Sequence, residues 1–468
     1  MKRAFYTTVS ALALLTAAPA IAGDNTSAVT QSGTNATATV NQGGSNSAST
    51  VTQGGDLNTT TIDQNGTQTG GSSTVSQTGN SNNALVTQAD DASGANPSDV
   101  SNIDQGGSNN SATVTQTGGT TPPGTYWANQ SAITQSGDSN DAMVTQVDDT
   151  QHSTITQSSN GNSATVDQGD SSKAATDESW GNTSTILQEG GDGNIANVSQ
   201  KSLLNTSNVH QNGTANEANV SQDADGYATG GTSNVDQSGS DNVGNVTQYG
   251  AVNSSSVTQS TVGNVANVSQ TGDNDSSDVN QSAGYSATFG YYSPGDTSGL
   301  ADITQVGNNN SSSVSQSGLM NVADVDQLAD DNVSTITQTG EGAYARVLQS
   351  GSGNTSNVDQ SGTGDNFSLN YQIQQTGDYN ASDLNQSGSW DSANVLQSGS
   401  GNTSGIAQSG DNDYASLIQS GSGNSSSITQ GGSYNNAFVT QSSDGNGSTV
   451  DQSGSFNNAY VTQGPAGL

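Results

Sequence analysis

Two histidines, His152 and His210, are the chain's imidazoles, and it holds no cysteine. A hydrolytic triad needs a nucleophile, a base and an acid converging on one point. A zinc site needs three or four converging ligands. Both histidines fall between the regularly spaced small and aliphatic residues of their segments, at positions expected to face solvent. No catalytic set, metal site or cofactor is therefore expected, and the chain is not read as an enzyme. Gly190-Gly191-Asp192-Gly193-Asn194 has the outline of a calcium-binding nonapeptide, but it occurs once and Ile195 stands where the ligand Asp belongs. Sequons such as Asn182-Thr183-Ser184 and Asn402-Thr403-Ser404 follow from a repeat that sets Asn two residues before Ser. The remaining chemistry is that of amides. Asn and Gln both donate and accept hydrogen bonds, and their spacing is regular.

An aliphatic residue, one variable residue and then Gln recur 36 times, from Val29-Thr30-Gln31 to Val461-Thr462-Gln463. Of the 35 intervals between these glutamines, 27 are 11 residues long. Two residues before the aliphatic position, odd copies carry Ser in all 18 cases; even copies carry Ala in 15 of 18, with Thr60, Gly244 and Tyr371 as exceptions. The unit is thus 22 residues in two halves, and the alternation keeps phase across the longer intervals. Such phase means that the halves occupy two distinct structural positions. The copy at Tyr371-Gln372-Ile373-Gln374-Gln375 is the least regular.

Within a half, Asn457, Ala459, Val461 and Gln463 alternate with Asn458, Tyr460 and Thr462. Period two around a β-branched centre is a strand signal. The preceding Gln452-Ser453-Gly454-Ser455-Phe456 reads as a tight turn. One unit has two aliphatic side chains to bury, worth about 1.5–3 kcal/mol each, against a backbone-ordering cost above ~20 kcal/mol. It cannot stand alone. Stacked coil on coil, Val/Ile rows form an apolar seam, and Gln and Asn rows form ladders in which each amide donates to one neighbour and accepts from the other. The expected fold is all-β, a β-solenoid of about 18 strand–turn–strand coils with cross-β amyloid-type stacking. The expected self-assembly ladder comprises Asn25, Ser27, Val29 and Gln31 at one end. It continues through Gln135, Asn140, Ala142, Val144 and Gln146, then Gln430, Asn435, Ala437, Val439 and Gln441, and ends at Gln452, Asn457, Ala459, Val461 and Gln463.

The prolines, Pro19, Pro97, Pro122, Pro123, Pro294 and Pro465, avoid every repeated strand. The long intervals near Ala89–Ser98, Thr117–Thr125, Gly169–Ser179, Asp223–Gly230 and Ser282–Gly299 read as loops leaving the coil corners; they or their borders hold Trp127, Lys173, Trp180, Tyr285, Phe289, Tyr291 and Tyr292. Outward aromatics gather toward the C-terminus at Tyr379, Trp390, Tyr414, Tyr434, Phe438, Phe456 and Tyr460. Outward Asp63, Asp104, Asp167, Asp236, Asp326, Asp359 and Asp451 read as gatekeepers against premature aggregation.

Residues 1–22 read as a signal peptide: Lys2 and Arg3, an apolar run from Val9 to Ala18, then Ala20-Ile21-Ala22. Its removal leaves Lys173, Lys201 and Arg346 against 41 Asp+Glu. A formal charge of −36 for the 468 residues argues against nucleic acid and anionic membrane as partners. With 28% hydrophobic and 10% charged residues, the chain lies far from a conventional set of close-packed domains.

Read from an odd copy, the spacing is Ser, Gln four residues on, Gly two after Gln, Asn at five, Ala at seven and Gln at eleven. Ser131, Gln135, Gly137, Asn140, Ala142 and Gln146 show it, as do Ser73, Gln77, Gly79, Asn82, Ala84 and Gln88, and Ser448, Gln452, Gly454, Asn457, Ala459 and Gln463. This resembles the curlin repeat (S-x5-Q-x-G-x-x-N-x-A-x3-Q) of the curli amyloid subunits of bacterial biofilms, with a shorter Ser-to-Gln gap. The resemblance covers residues 25–463. It implies a subunit exported through the periplasm that self-associates into cell-surface fibres for adhesion and matrix cohesion, with a nucleator subunit and outer-membrane export machinery as partners and without membrane insertion. The expected organisation is a signal peptide at 1–22 and a curlin-like repeat solenoid at 23–468. The competing reading is a monomeric extracellular solenoid binder, an adhesin or an ice-binding protein. The residue before the repeat Gln is Thr in 14 of 36 copies, too irregular for an ice-binding array.

Overall fold

The structure is a computed structural model and describes residues 24–43, 45–65, 70–89, 99–118, 128–148, 150–169, 181–223, 230–282, 299–364 and 372–464. Residues 1–22, read above as a signal peptide, the six prolines, Tyr371, and Trp127, Lys173, Trp180, Tyr285, Phe289, Tyr291 and Tyr292 lie outside them. The chain forms two compact units, Met1–Gln188 and Glu189–Leu468.

Among the described residues, the first unit holds 13 strands, from Thr26–Gln31 to Thr183–Glu189, the last ending one residue past its boundary. In the second, 23 run from Ile195–Gln200 to Asn458–Gln463. Most are six residues long and end on the repeat Gln. Within each unit a strand pairs in parallel with the strands two before and two after it, so odd and even halves build separate sheets. Each unit is a β-solenoid of two parallel sheets enclosing one thin core. Among the described residues there is no helix, and none is long and apolar enough to cross a membrane.

The register has no stagger. Ser73, Val75 and Gln77 lie against Ser101, Ile103 and Gln105, and Ala415, Leu417 and Gln419 against Ala437, Val439 and Gln441. A slip of one residue would turn every inward side chain outward. The irregular copy follows the same rule: only Ile373–Gln375 is strand, yet Ile373 pairs with Val347 and Val395, and Gln375 with Gln349 and Gln397. Inward Val, Ile and Leu, with inward Gln, are fully buried in interior coils, among them Ile103, Ile336, Leu417, Gln338 and Gln397.

The corner after each Gln brings the chain close to the coil beside it. A methyl group on Gly410 would run into the carbonyl of Gly432, and one on Gly377 into that of Gly399. Gly410→Ala is expected to destabilise its coil by about 1–3 kcal/mol, the range for overpacking. Amide hydrogen exchange should report the loss in strands Thr403–Gln408 and Ser425–Gln430, while strands Thr26–Gln31 and Ala48–Gln53 stay unchanged.

Candidate assembly site

Gln is the residue that holds coil to coil. Gln316 Nε2 donates to Gln338 Oε1 at 2.8 Å, and Gln338 Nε2 to Gln360 Oε1 at 2.9 Å. The even sheet carries a matching row, with Gln327 to Gln349 at 2.9 Å and Gln349 to Gln375 at 2.8 Å. The same nitrogen also bonds across the core. Gln316 Nε2 reaches the Leu300 carbonyl at 2.9 Å, and Gln338 Nε2 the Val322 carbonyl at 3.0 Å, both at the start of an opposing strand. One amide proton thus bonds along the stack and the other staples the two sheets together.

This geometry explains the small residue two positions before the aliphatic one. The Gln head of one sheet lies against that position in the other: Gln53 Nε2 is 3.2 Å from Thr60 Oγ1, and Gln441 Nε2 is 3.4 Å from Ser448 Oγ. A methyl on Gly244 would sit 3.3 Å from Gln237 Nε2. A side chain much larger than Ala would displace the glutamine.

The asparagine row differs from the expected amide-to-amide ladder. Asn Oδ1 accepts the backbone N–H of the equivalent residue in the next coil: Asn110 N–H to Asn82 at 2.9 Å, and Asn140 N–H to Asn110 at 2.8 Å. Asn82 Nδ2 donates to the Gly107 carbonyl at 2.7 Å, and Asn321 Nδ2 to that of Gly340 at 2.9 Å. Asparagine sits where the chain leaves the turn, so exposed corner backbone lies nearer than the next amide. Amide-to-amide contacts such as Asn457 Nδ2 to Asn435 Oδ1 at 3.0 Å supplement this pattern.

Because an acceptor suffices, Asp can replace Asn here. Asp99, Asp275, Asp391 and Asp413 do so, at 0–3% exposure. Asp275 Oδ1 accepts the Asn310 N–H at 2.8 Å, Asp413 Oδ1 the Asn435 N–H at 2.8 Å, and Asp391 Oδ1 the Asp413 N–H at 2.9 Å. The second oxygens of Asp275 and Asp413 are buried with no hydrogen-bond donor. Burial pushes Asp275 up from 3.8 to about 6, opposed by the bonds from Asn310 and aided by the charges of Asp273 and Asp330. Burial also raises Asp413, against the bonds from Asn435 and with help from Asp411. As an acid, the second oxygen could donate as the Asn Nδ2 does. Sequence reasoning missed these four residues, although an acidic residue in an otherwise Asn register position was the available signal.

The terminal coils differ from the interior ones. Gln135, Asn140, Ala142, Val144, Gln146, Gln430, Asn435, Ala437, Val439 and Gln441 are buried, at 0–1% exposure. At the first coil Asn25 and Gln31 are half-buried, Ser27 is exposed and Val29 is 46% exposed. At the last coil Gln452 remains buried, Asn457 is exposed, and Ala459, Val461 and Gln463 are half-buried. Among the described residues, strands Thr26–Gln31 and Thr37–Gln42 pair on one side only, as do Gly447–Gln452 and Asn458–Gln463.

The outward residues are simpler. His152 is exposed, and His210 lies 3.2 Å from both Glu189 and Asp236. Among the described residues no group of three or more His, Cys, Asp or Glu could hold a metal. Arg346 Nε pairs with Asp324 at 2.8 Å. Burial, then Asp326, raises the pKa of Asp302 and Asp324, and Arg346 partly offsets the rise at Asp324. Outward Asp63, Asp104, Asp167, Asp236, Asp326, Asp359 and Asp451 are exposed or half-buried.

The family model described as the curlin associated repeat matches residues 300–328, 329–362 and 410–442. Curlin associated repeats are thus present within residues 300–362 and 410–442. The matched curlin repeats all lie in the second unit. The first unit carries the same spacing, as at Ser131, Gln135, Gly137, Asn140, Ala142 and Gln146. No curated protein matches the chain.

Two outcomes follow from the ladders. Gln338→Leu leaves the Gln360 Oε1 and the Val322 carbonyl short of a donor, at about 1–3 kcal/mol each; local opening free energies from hydrogen exchange should fall by roughly 2–6 kcal/mol in strands Ser311–Gln316 and Thr355–Gln360. The second outcome concerns pH. The folded pKa of Asp275 lies above its unfolded value, so its favourable contribution is complete below about pH 4 and is lost as pH rises through about 6. The rise from 3.8 to about 6 corresponds to about 3 kcal/mol. Asp275→Asn should stabilise strands Ser276–Gln281 and Ser311–Gln316 at pH 7 and change them little at pH 4, as read by their exchange protection.

Proposed function

We propose that the chain is a secreted, self-assembling structural subunit of curli-like amyloid fibres, supporting adhesion and the biofilm matrix. In this reading residues 1–22 are removed on export and residues 23–468 form the fibre unit. A nucleator subunit and outer-membrane export machinery are its proposed partners besides its own copies.

The observation that carries the reading is the contrast between interior and terminal coils. The terminal strands leave one row of backbone groups without a strand partner, and such edges template further strands. The two ends also differ in hydrogen-bonding sense. Gln31 and Gln42 donate into the stack, to Gln53 at 2.6 Å and Gln64 at 3.0 Å, and among the described residues their Oε1 atoms receive no ladder bond. Gln452 and Gln463 receive ladder bonds from Gln430 and Gln441, while among the described residues their Nε2 atoms donate only across the core, to the Asn436 and Gly447 carbonyls. One end therefore offers acceptors and the other donors. Copies added head to tail, with the donor end of one on the acceptor end of the next, continue both Gln rows. Joining like ends sets acceptor against acceptor or donor against donor. A heterologous contact of this kind does not close and makes filaments.

Residues 23–468, purified and held at micromolar concentration for days, should lengthen into fibres with a meridional reflection near ~4.7–4.8 Å. A particle that stays monomeric throughout would favour the solenoid binder. Val461→Asp, placed on the half-exposed last coil, should slow elongation at least tenfold and leave the circular dichroism of the monomer unchanged.

A further inference from the structure

Between residues 392 and 462 the two sheets present different surfaces. Strands Thr403–Gln408, Ser425–Gln430 and Gly447–Gln452 turn Thr, Gly, Ala, Ser and Asp outward. Strands Ser392–Gln397, Tyr414–Gln419, Asn436–Gln441 and Asn458–Gln463 turn out Leu396, Tyr414, Ile418, Phe438 and Tyr460, with no charged residue among their outward positions. Tyr414 and Phe438 have ring centroids 5.5 Å apart, and Phe438 stacks on Tyr460 at 5.1 Å with the planes 4° apart. Tyr460 is 73% exposed.

The corners entering these strands extend the aromatic character. Trp390, Tyr434 and Phe456 stand two residues before three of them, all exposed, at φ of 61°, 57° and 58°. Tyr434 stacks on Phe456 at 5.1 Å. A left-handed backbone is sterically unfavourable for an aromatic residue, and the same corner position elsewhere is filled by Asn35, Ser81, Asn109 and Ser139. The turn does not require this bulk, and the exposed rings bury little of themselves in the fold.

We propose that this outer face is a lateral docking surface for a second copy of the chain. The inference rests on the fibre reading above. Charge selects the occupant. Two chains of net charge −36 repel over most orientations, and this face lets them meet without setting carboxylate against carboxylate. Four strands ~4.8 Å apart and six residues long cover about 380 Å² on each copy. A single pair then buries about 760 Å², short of the ~1,200 Å² of a stable interface. Free chains therefore stay apart laterally. Stacked in a fibre, the face recurs once per chain, and many weak contacts act together.

The test compares fibres of the full chain with those of three variants: Phe438→Ser/Tyr460→Ser, Ser416→Glu on the same face, and Ser427→Glu on the opposite sheet. The readouts are fibre width by negative-stain electron microscopy and elongation rate from seeded growth. Wild type and Ser427→Glu should bundle. The other two should give single fibres, with bundles reduced at least fivefold and elongation within twofold of wild type. Undiminished bundling of Ser416→Glu, or single fibres from wild type, overturns the lateral face and leaves the fibre reading standing. A wild-type chain that forms no fibre removes both.

Discussion

A buried primary amide has two donors and an acceptor, and leaving any of them unpaired in a dry interior is costly. The repeat Gln meets that demand with an oxygen bonded along the stack, one proton bonded along it, and one bonded across to the opposing sheet, as at Gln338. Much of the architecture follows. Register cannot slip, because a displaced Gln would lose its partners. The sheets must stay close enough for Gln316 to reach Leu300. The facing position must stay small, hence Ser in odd copies and Ala in most even ones. Intervals between coils can vary in length, because insertions leave at the corners without touching the ladder.

The same constraint gives the stack its open character. Gln31 and Gln463, in the first and last described coils, are half-buried, where Gln338 and Gln397 are fully buried between neighbours. In the proposed fibre, the acceptors of the first coil and the donors of the last would give growth a direction. The buried acids modulate this plan. Asp275 and Asp413 keep the acceptor that the next coil needs and lose the donor, so the coil becomes sensitive to protonation. Outside, the surface is acidic, and the proposed lateral face is the uncharged aromatic one.

Much of this was legible in the sequence. The 22-residue period, the strand around each Val-x-Gln, the inward Val, Ala and Gln, and the outward Asp and His all appear in the fold as spacing and alternation require. The irregular copy ending at Gln375 keeps register because its neighbours on both sides fix it. Less legible was anything set by three-dimensional distance. Spacing showed that Asn recurs at a corner, but not that its partner is backbone, as with Asn82 and Gly107. The Ser or Ala two residues before the aliphatic position was visible in the repeat, but its reason, the Gln head of the opposing sheet, arises between sheets and was not. Asp275 looked like any other acid until its register position was recognised as buried.

The most direct test of the central claim is hydrogen exchange of the glutamine side-chain amides, followed by nuclear magnetic resonance on the assembled protein. The Nε2 protons of interior residues such as Gln338 should exchange as slowly as the strand amides beside them, and those of Gln463 much faster on the unassembled chain. Fast exchange of interior Gln protons within an otherwise protected sheet would contradict the account, because the coils would then be held by backbone pairing and apolar burial alone.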